Sequence, residues 1–126
     1  MESVDEVFRD AVDYGTDGEV PANAPVGVAK LAHVLRVYSA MMSGGFGFAM
    51  EVCGLDEFER AVDGFRYLGL TEVADLLSEM SVSYGTPGHD EEREDLLDQM
   101  IAEGDLVLDA YRIKAAAVPA DFGLLT

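Results

Sequence analysis

The absence of any carboxylate between Val20 and Met50 constrains the fold of this chain more than any other feature. The stretch has only Lys30 and Arg36 as charged residues and is rich in Ala, Val, Leu and Met. Over about residues 26–42 its apolar side chains recur three and four positions apart, which is the spacing of one face of an α-helix. We therefore predict a central apolar helix over residues 26–42, with the rest of the chain packed around it.

Helical spacing recurs along nearly the whole chain. Ser3 and Glu6 form the capping-box pattern of a helix start, and that helix is expected to stop near Gly15. In the helix that starts near Asp90 we expect Leu96 and the neighbouring apolar residues to be buried. The sequence thus predicts an all-α fold, with residues 1–126 forming a single domain of about seven helices. The predicted helices cover about residues 4–14, 26–42, 46–52, 56–68, 71–80, 90–103 and 105–117.

The charge of the chain limits what it can bind. Twenty-five acidic residues oppose eight basic ones, which leaves a formal net charge of −17, and the acids fall mainly in three blocks at residues 1–19, 51–79 and 90–109. Such a surface repels nucleic acids and anionic membranes and attracts a basic protein. No apolar run is long enough for a membrane span, and the N-terminus lacks a secretory pattern. With Cys53 as the single cysteine, no internal disulfide can form, so we expect a cytoplasmic protein with an unreactive thiol.

Candidate catalytic and metal-binding residues are few. His33 lies within the apolar helix and is expected to be a packed or boundary residue. His89 precedes three acids in a loose metal-like cluster, but acids at a helix start are explained by the helix dipole. The Gly-rich segment after residue 43 lacks the spacing and the lysine of a phosphate-binding loop. We therefore expect no enzymatic activity, no metal and no cofactor.

The densest acidic run is more informative. It begins at Asp90, and helical spacing would place Glu91, Asp95 and Asp98 on one side, with Glu94 and Asp98 also one turn apart. Like charges about 5–6 Å apart weaken a helix by roughly 0.2–0.5 kcal/mol per pair. Because the acidic run lowers the stability of its own helix, we interpret it as a possible functional feature. A net charge of −17 equals that of roughly eight to nine base pairs of duplex DNA. An acid-rich, lysine-poor surface is equally typical of proteins adapted to high salt.

The middle of the chain contains the motif Ser43, Gly44, Gly45 and Phe46, together with further characteristic segments at residues 37–42, 65–70 and 74–77. On these residues the chain resembles a bacterial family of small helical proteins with an Asn-Gly-Gly-Phe motif at a helix end. The resemblance covers about residues 28–80 and implies an all-helical fold. It also implies the possibility of a homodimer, because one member is a dimeric DNA mimic whose acidic surface occupies DNA-binding proteins, including a transcriptional repressor and a histone-like protein. We interpret the motif itself as structural, with its glycines at a helix end and its Phe folded onto the core.

Our leading hypothesis is a non-enzymatic acidic protein that binds a basic, DNA-binding protein by imitating DNA. Two alternatives remain open: an immunity or regulatory protein that caps a specific toxin or enzyme, and a halophilic-type acidic domain with no electrostatic partner. The predicted binding face consists of Asp90, Glu91, Glu92, Glu94, Asp95 and Asp98, with Asp5, Glu6 and Asp13 as an extension.

Overall fold

A computed structural model describes residues 3–17 and 19–124 of the chain, and these residues form an all-α fold without a strand. Six α-helices are followed by a short 3-10 helix, so the expected number of about seven helices is close. The helices are α1 (Val4–Asp17), α2 (Val26–Cys53), α3 (Leu55–Tyr67), α4 (Thr71–Ser83), α5 (Glu91–Ile101) and α6 (Leu106–Ala117), and the 3-10 helix is Pro119–Phe122.

The central position of α2 is confirmed by its packing. It contacts α1, α3, α5 and the 3-10 helix, and Leu31, Val34 and Val37 on its inner face are fully buried. The acid-free stretch is therefore the middle of the core, as its composition predicts. Large side chains from every other helix complete the core, namely Phe58, Phe65, Leu77, Leu97, Ile101, Val107, Tyr111 and Phe122, with Val7 contributed by α1.

Close approach of the helices depends on small residues. A Cβ atom at Gly64 of α3 would lie 2.7 Å from the backbone oxygen of Lys30, and one at Gly15 of α1 would lie 2.8 Å from that of Ala32. Both glycines therefore let a neighbouring helix rest directly on the α2 backbone. Gly15 lies within α1, which continues to Asp17, two residues beyond the position near which we expected the helix to stop.

The predicted break in α2 at the Gly-Gly sequence occurs at Gly45, which has φ 84° and ψ 179°. This backbone conformation is essentially restricted to glycine. It divides α2 into a first arm, residues 26–44, and a second arm, residues 46–53. Val52 of the second arm lines a cavity together with Ala40 of the first arm, so the second arm runs back along the first.

The residue after the break closes the core at the bend. Phe46 is fully buried, and its ring lies edge-on to Phe58, with 5.6 Å between ring centroids. Gly44 remains helical, so Gly45 alone supplies the positive φ at the break. At the end of the second arm, Gly54 repeats the same conformation, with φ 82° and ψ 167°, and α3 starts there.

Candidate acidic interface

Helix α5 starts where the sequence predicts, and its first acid acts as the cap. Asp90 has an extended backbone, and its Oδ1 accepts hydrogen bonds from the amides of Glu92 at 2.9 Å and Arg93 at 3.4 Å. These bonds satisfy two of the amide groups that a helix start leaves without partners. Asp90 is therefore exposed but engaged in holding the start of α5.

The two faces of α5 divide the predicted binding residues. Leu97 and Ile101 are buried, and the half-buried Glu94 and Asp98 belong to the same inward stripe, with spacing of three and four residues. Asp98 therefore does not share the outer side of α5 with Glu91 and Asp95, contrary to the prediction from helical spacing. The outer side presents the exposed acids Glu91, Glu92 and Asp95, together with Leu96, which is 50% exposed and was wrongly expected to be buried.

Asp98 points towards the bend of α2. One of its oxygens, Oδ1, is buried and has no hydrogen-bond partner among the residues that the structure describes, and Oδ2 would lie 3.6 Å from a Cβ at Gly45. Burial, followed by the negative charge of Glu94, raises the pKa of Asp98 above its ordinary value, while the backbone amide of Phe46 acts in the opposite direction. The charged form of Asp98 is thus held in an unfavourable environment beside the bend, and the residue contributes little to the outer surface.

A second inward contact joins the loop between α4 and α5 to both helices. His89 has Nδ1 2.9 Å from the hydroxyl of Ser83 and Nε2 2.6 Å from Oε2 of Glu94. Its ring stacks on Phe46, with an interplanar angle of 17°. The sequence did not predict this network. It grouped His89 with the three acids that follow it and not with Ser83 and Glu94. Within the described residues, no group of three or more His, Cys, Asp or Glu side chains is arranged to bind a metal ion.

The outer acids of α5 have no cationic partner within the part of the chain that the structure describes. Arg93, which lies among them, forms an ion pair with Glu79 of α4 instead. That pair joins α5 to α4 and leaves the charges of Glu91, Glu92 and Asp95 uncompensated. The outer side of α5 is therefore strongly negative.

Most basic residues of α2 and α3 form ion pairs with neighbouring carboxylates. Lys30 pairs with Asp63, and the Glu57 side chain, which is only 13% exposed, lies close to Arg36, Arg60 and the imidazole of His33. Among these, His33 lies 2.9 Å away through Nδ1 and Arg60 lies 3.4 Å away, with Arg36 slightly farther. His33 is thus the boundary residue that its position predicts. The side of the molecule formed by these two helices is close to neutral.

The proposed extension on α1 is exposed but lies elsewhere. The predicted cap at Ser3 is present, with the Glu6 amide donating to the Ser3 hydroxyl oxygen at 3.2 Å and the Glu6 carboxylate accepting from the same hydroxyl at 3.3 Å. Asp13 faces solvent. Asp5 lies 3.5 Å from Arg112 of α6, which partly neutralises it. Helix α1 packs on α2 and α6, whereas α5 packs on α2 and α4. The principal packing of the described residues therefore does not bring the two acidic blocks together.

The motif residues occupy the bend and not the acidic surface. Ser43 and Gly44 are exposed, Gly45 provides the turn, and Phe46 is buried under His89. This arrangement agrees with a structural role for the motif. Cys53, at the end of the second arm, is half-buried, and burial raises the pKa of its thiol, which lowers its reactivity at neutral pH.

None of the helices in residues 3–17 and 19–124 combines the length and hydropathy needed to cross a bilayer.

Comparison with known proteins identifies the family of the chain. No curated protein and no solved structure matches the chain significantly. A family model described as DMP19-like protein matches residues 22–116, which include the bend, α5 and most of α6 and extend beyond the 28–80 range of the resemblance. The chain belongs to the DMP19-like protein family.

Proposed function

We propose that this protein is a non-enzymatic, cytoplasmic binding protein whose acidic surface imitates DNA and occupies the DNA-binding surface of a basic protein. Its membership of the DMP19-like family supports this proposal, because the resembling family includes a DNA mimic. The partner would be a basic transcription factor or a histone-like protein, and the protein would bind neither nucleic acid nor membrane directly.

The observation that carries the proposal is the separation of charge on the surface. The cations of α2 and α3 are paired with neighbouring carboxylates, whereas Glu91, Glu92 and Asp95 on α5 have no cationic partner among the described residues. Acids scattered only for solubility would not require this separation. A concentrated negative surface attracts a cationic partner and accelerates its association.

The structure changes which residues should dominate binding. Glu91, Glu92 and Asp95 are exposed, so a partner's Lys and Arg side chains can pair with them. Glu94 and Asp98 face the bend and His89, so they would influence binding through the position of α5.

The test is a competition between this protein and a labelled DNA duplex for a histone-like protein. We expect displacement of the duplex at low salt and a steep loss of affinity between about 50 and 500 mM salt, since the Debye length shrinks several-fold over that range. A triple variant, Glu91→Lys, Glu92→Lys and Asp95→Lys, should abolish displacement while its circular dichroism remains that of the parent protein.

A matched control carries three charge reversals on the near-neutral side, Glu51→Lys, Asp56→Lys and Glu59→Lys, and so has the same net charge as the triple variant. All three control positions are exposed. The control should retain most of the displacement. Equal losses in the two variants would indicate that only net charge matters, and displacement that is insensitive to salt would refute imitation of DNA.

A second candidate function, capping of a specific toxin or enzyme, is favoured by a separate observation. Phe48 and Val52, one turn apart on the second arm of α2, are 46% and 53% exposed, and Leu55 follows at 47%. Exposed aromatic and aliphatic side chains of this kind can act as binding hot spots. For this function, Phe48→Ala should weaken binding more than the triple charge reversal does.

A further inference from the structure

We propose that a pocket on the α1 side of the molecule receives one Lys or Arg side chain of the basic partner protein. The pocket has a volume of about 280 Å³ and lies between α1, the segment that links α1 to α2, and the C-terminal 3-10 helix. The inference rests on the proposed function for the identity of the partner, and it adds a specific anchoring site outside the acidic surface of α5.

The floor of the pocket is apolar. Val7, Val28 and Phe122 line it and are only 3%, 5% and 1% exposed, so they form a fixed surface that belongs to the core. Pro25 adds a further apolar wall. Such a surface suits the aliphatic stem of a Lys or Arg side chain, which buries its methylene groups while its charged end remains at a polar site.

The polar groups of the pocket select a cation. Asp10 is the only charged side chain among the described residues that line it, and Tyr14 lies one helical turn farther along α1 on the same face. Both are half-buried, and neither has an ion-pair or side-chain hydrogen-bond partner in the part of the chain that the structure describes. A carboxylate beside a phenol ring is complementary to an ammonium or guanidinium group through charge and cation–π attraction.

Charge and the apolar floor favour a basic side chain as the occupant. At about 280 Å³ the pocket is close to the lower end of the usual range for small-molecule pockets, about 300–1,000 Å³, so it has room for one such side chain. The net charge of −17 opposes entry of anions, and the apolar floor favours a ligand with a hydrocarbon stem. A Lys or Arg side chain of a DNA-binding protein satisfies each of these conditions.

The direct test uses N-acetyl-lysine methylamide, the corresponding arginine compound and the uncharged norleucine compound as probes. Titration followed by NMR should shift resonances of Tyr14 and Phe122 with both basic probes and leave them unchanged with norleucine. Asp10→Asn should weaken binding of the basic probes about tenfold or more, because it removes a charge-assisted hydrogen bond. Asp17→Asn makes the same charge change at an exposed position of α1 outside the pocket, and it should have less than a twofold effect.

Outcomes of the two assays separate this inference from the proposed function. Equal responses to lysine and norleucine probes, or equal effects of the two Asn variants, would overturn the pocket assignment even if displacement of DNA occurs. If probe binding depends on Asp10 but the protein does not displace the DNA duplex from the histone-like protein, imitation of DNA would be refuted. The pocket would still be a binding site for a basic side chain. Full support requires that Asp10→Asn, unlike Asp17→Asn, also weakens displacement of the DNA duplex.

Discussion

The bend in α2 gives the most direct test of how this fold is determined. Gly45 has φ 84° and ψ 179°, and the nearest atom to an added Cβ would be Oδ2 of Asp98 at 3.6 Å, an ordinary contact distance. An alanine at this position would therefore suffer from its backbone conformation and not from a collision. Such strain costs about 1–3 kcal/mol, and the reduced freedom of the unfolded chain offsets about 0.4–1 kcal/mol of it. We expect Gly45→Ala to lower the free energy of unfolding by about 1–2 kcal/mol.

Chemical denaturation and thermal melting measure this change, and we expect a melting temperature lower by about 3–8 °C. Gly47→Ala is the matched control, because Gly47 lies in the second arm with a helical backbone and its added Cβ would meet Tyr84 at 3.6 Å. Alanine is a better helix former than glycine by about 1 kcal/mol, so this control should stabilise the protein. A Gly45→Ala variant as stable as the parent protein would refute the assignment of the bend to a glycine-only conformation.

The remaining predictions concern ionisable groups inside the fold. The pKa of Asp98 is raised in the folded protein, so its ionisation destabilises the fold as pH rises from the ordinary aspartate pKa towards the raised value. Asp98→Asn should remove this loss of stability. Because it also relieves repulsion from Glu94, the variant should be more stable than the parent at pH 7 by about 0.2–0.5 kcal/mol in denaturation experiments. A variant that keeps the pH dependence of the parent would contradict this assignment. The buried Tyr111 donates a hydrogen bond to the backbone oxygen of Val4 at 2.7 Å, so Tyr111→Phe should cost about 0.5–1.5 kcal/mol by the same measurement. Burial and the nearby Asp5 raise the pKa of Tyr111 to about 12, so ionisation of this group should lower the stability of the parent protein between about pH 10 and 12. The Tyr111→Phe variant should lack that loss. Identical dependence of stability on alkaline pH in the two proteins would contradict this assignment.

Local patterns in the sequence predicted most of the helices because each pattern has a direct physical cause. The Ser3–Glu6 capping box and the Asp90 cap satisfy helix amides within three residues, so they are readable without tertiary information. The glycine pair predicted a break because one residue there needs a positive φ. The return of the second arm along the first could not be predicted, because it depends on packing between residues far apart in the chain.

The sequence analysis identified the acidic run on α5 but misjudged which of its residues face outward. The acidic run on α5 was evident, yet its inward stripe could have been found by extending the spacing of Leu97 and Ile101 back to Glu94. Giving more weight to the apolar stripe than to the acids would have separated Asp98 from Asp95. The contact between His89 and Glu94 depends on the path of the loop after α4, and no local pattern encodes that path.

The hydrogen bond from Tyr111 to Val4 joins residues 107 positions apart, and Arg112 and Asp5 are paired at the same separation. A contact of such long sequence separation cannot form until the residues of α6 have left the ribosome. The bundle of α2, α3, α4 and α5 can assemble earlier from contacts between nearer segments. Helix α1 packs mainly on α2, but the pocket at Asp10 also needs Phe122, so the pocket is completed only after the 3-10 helix has been synthesised.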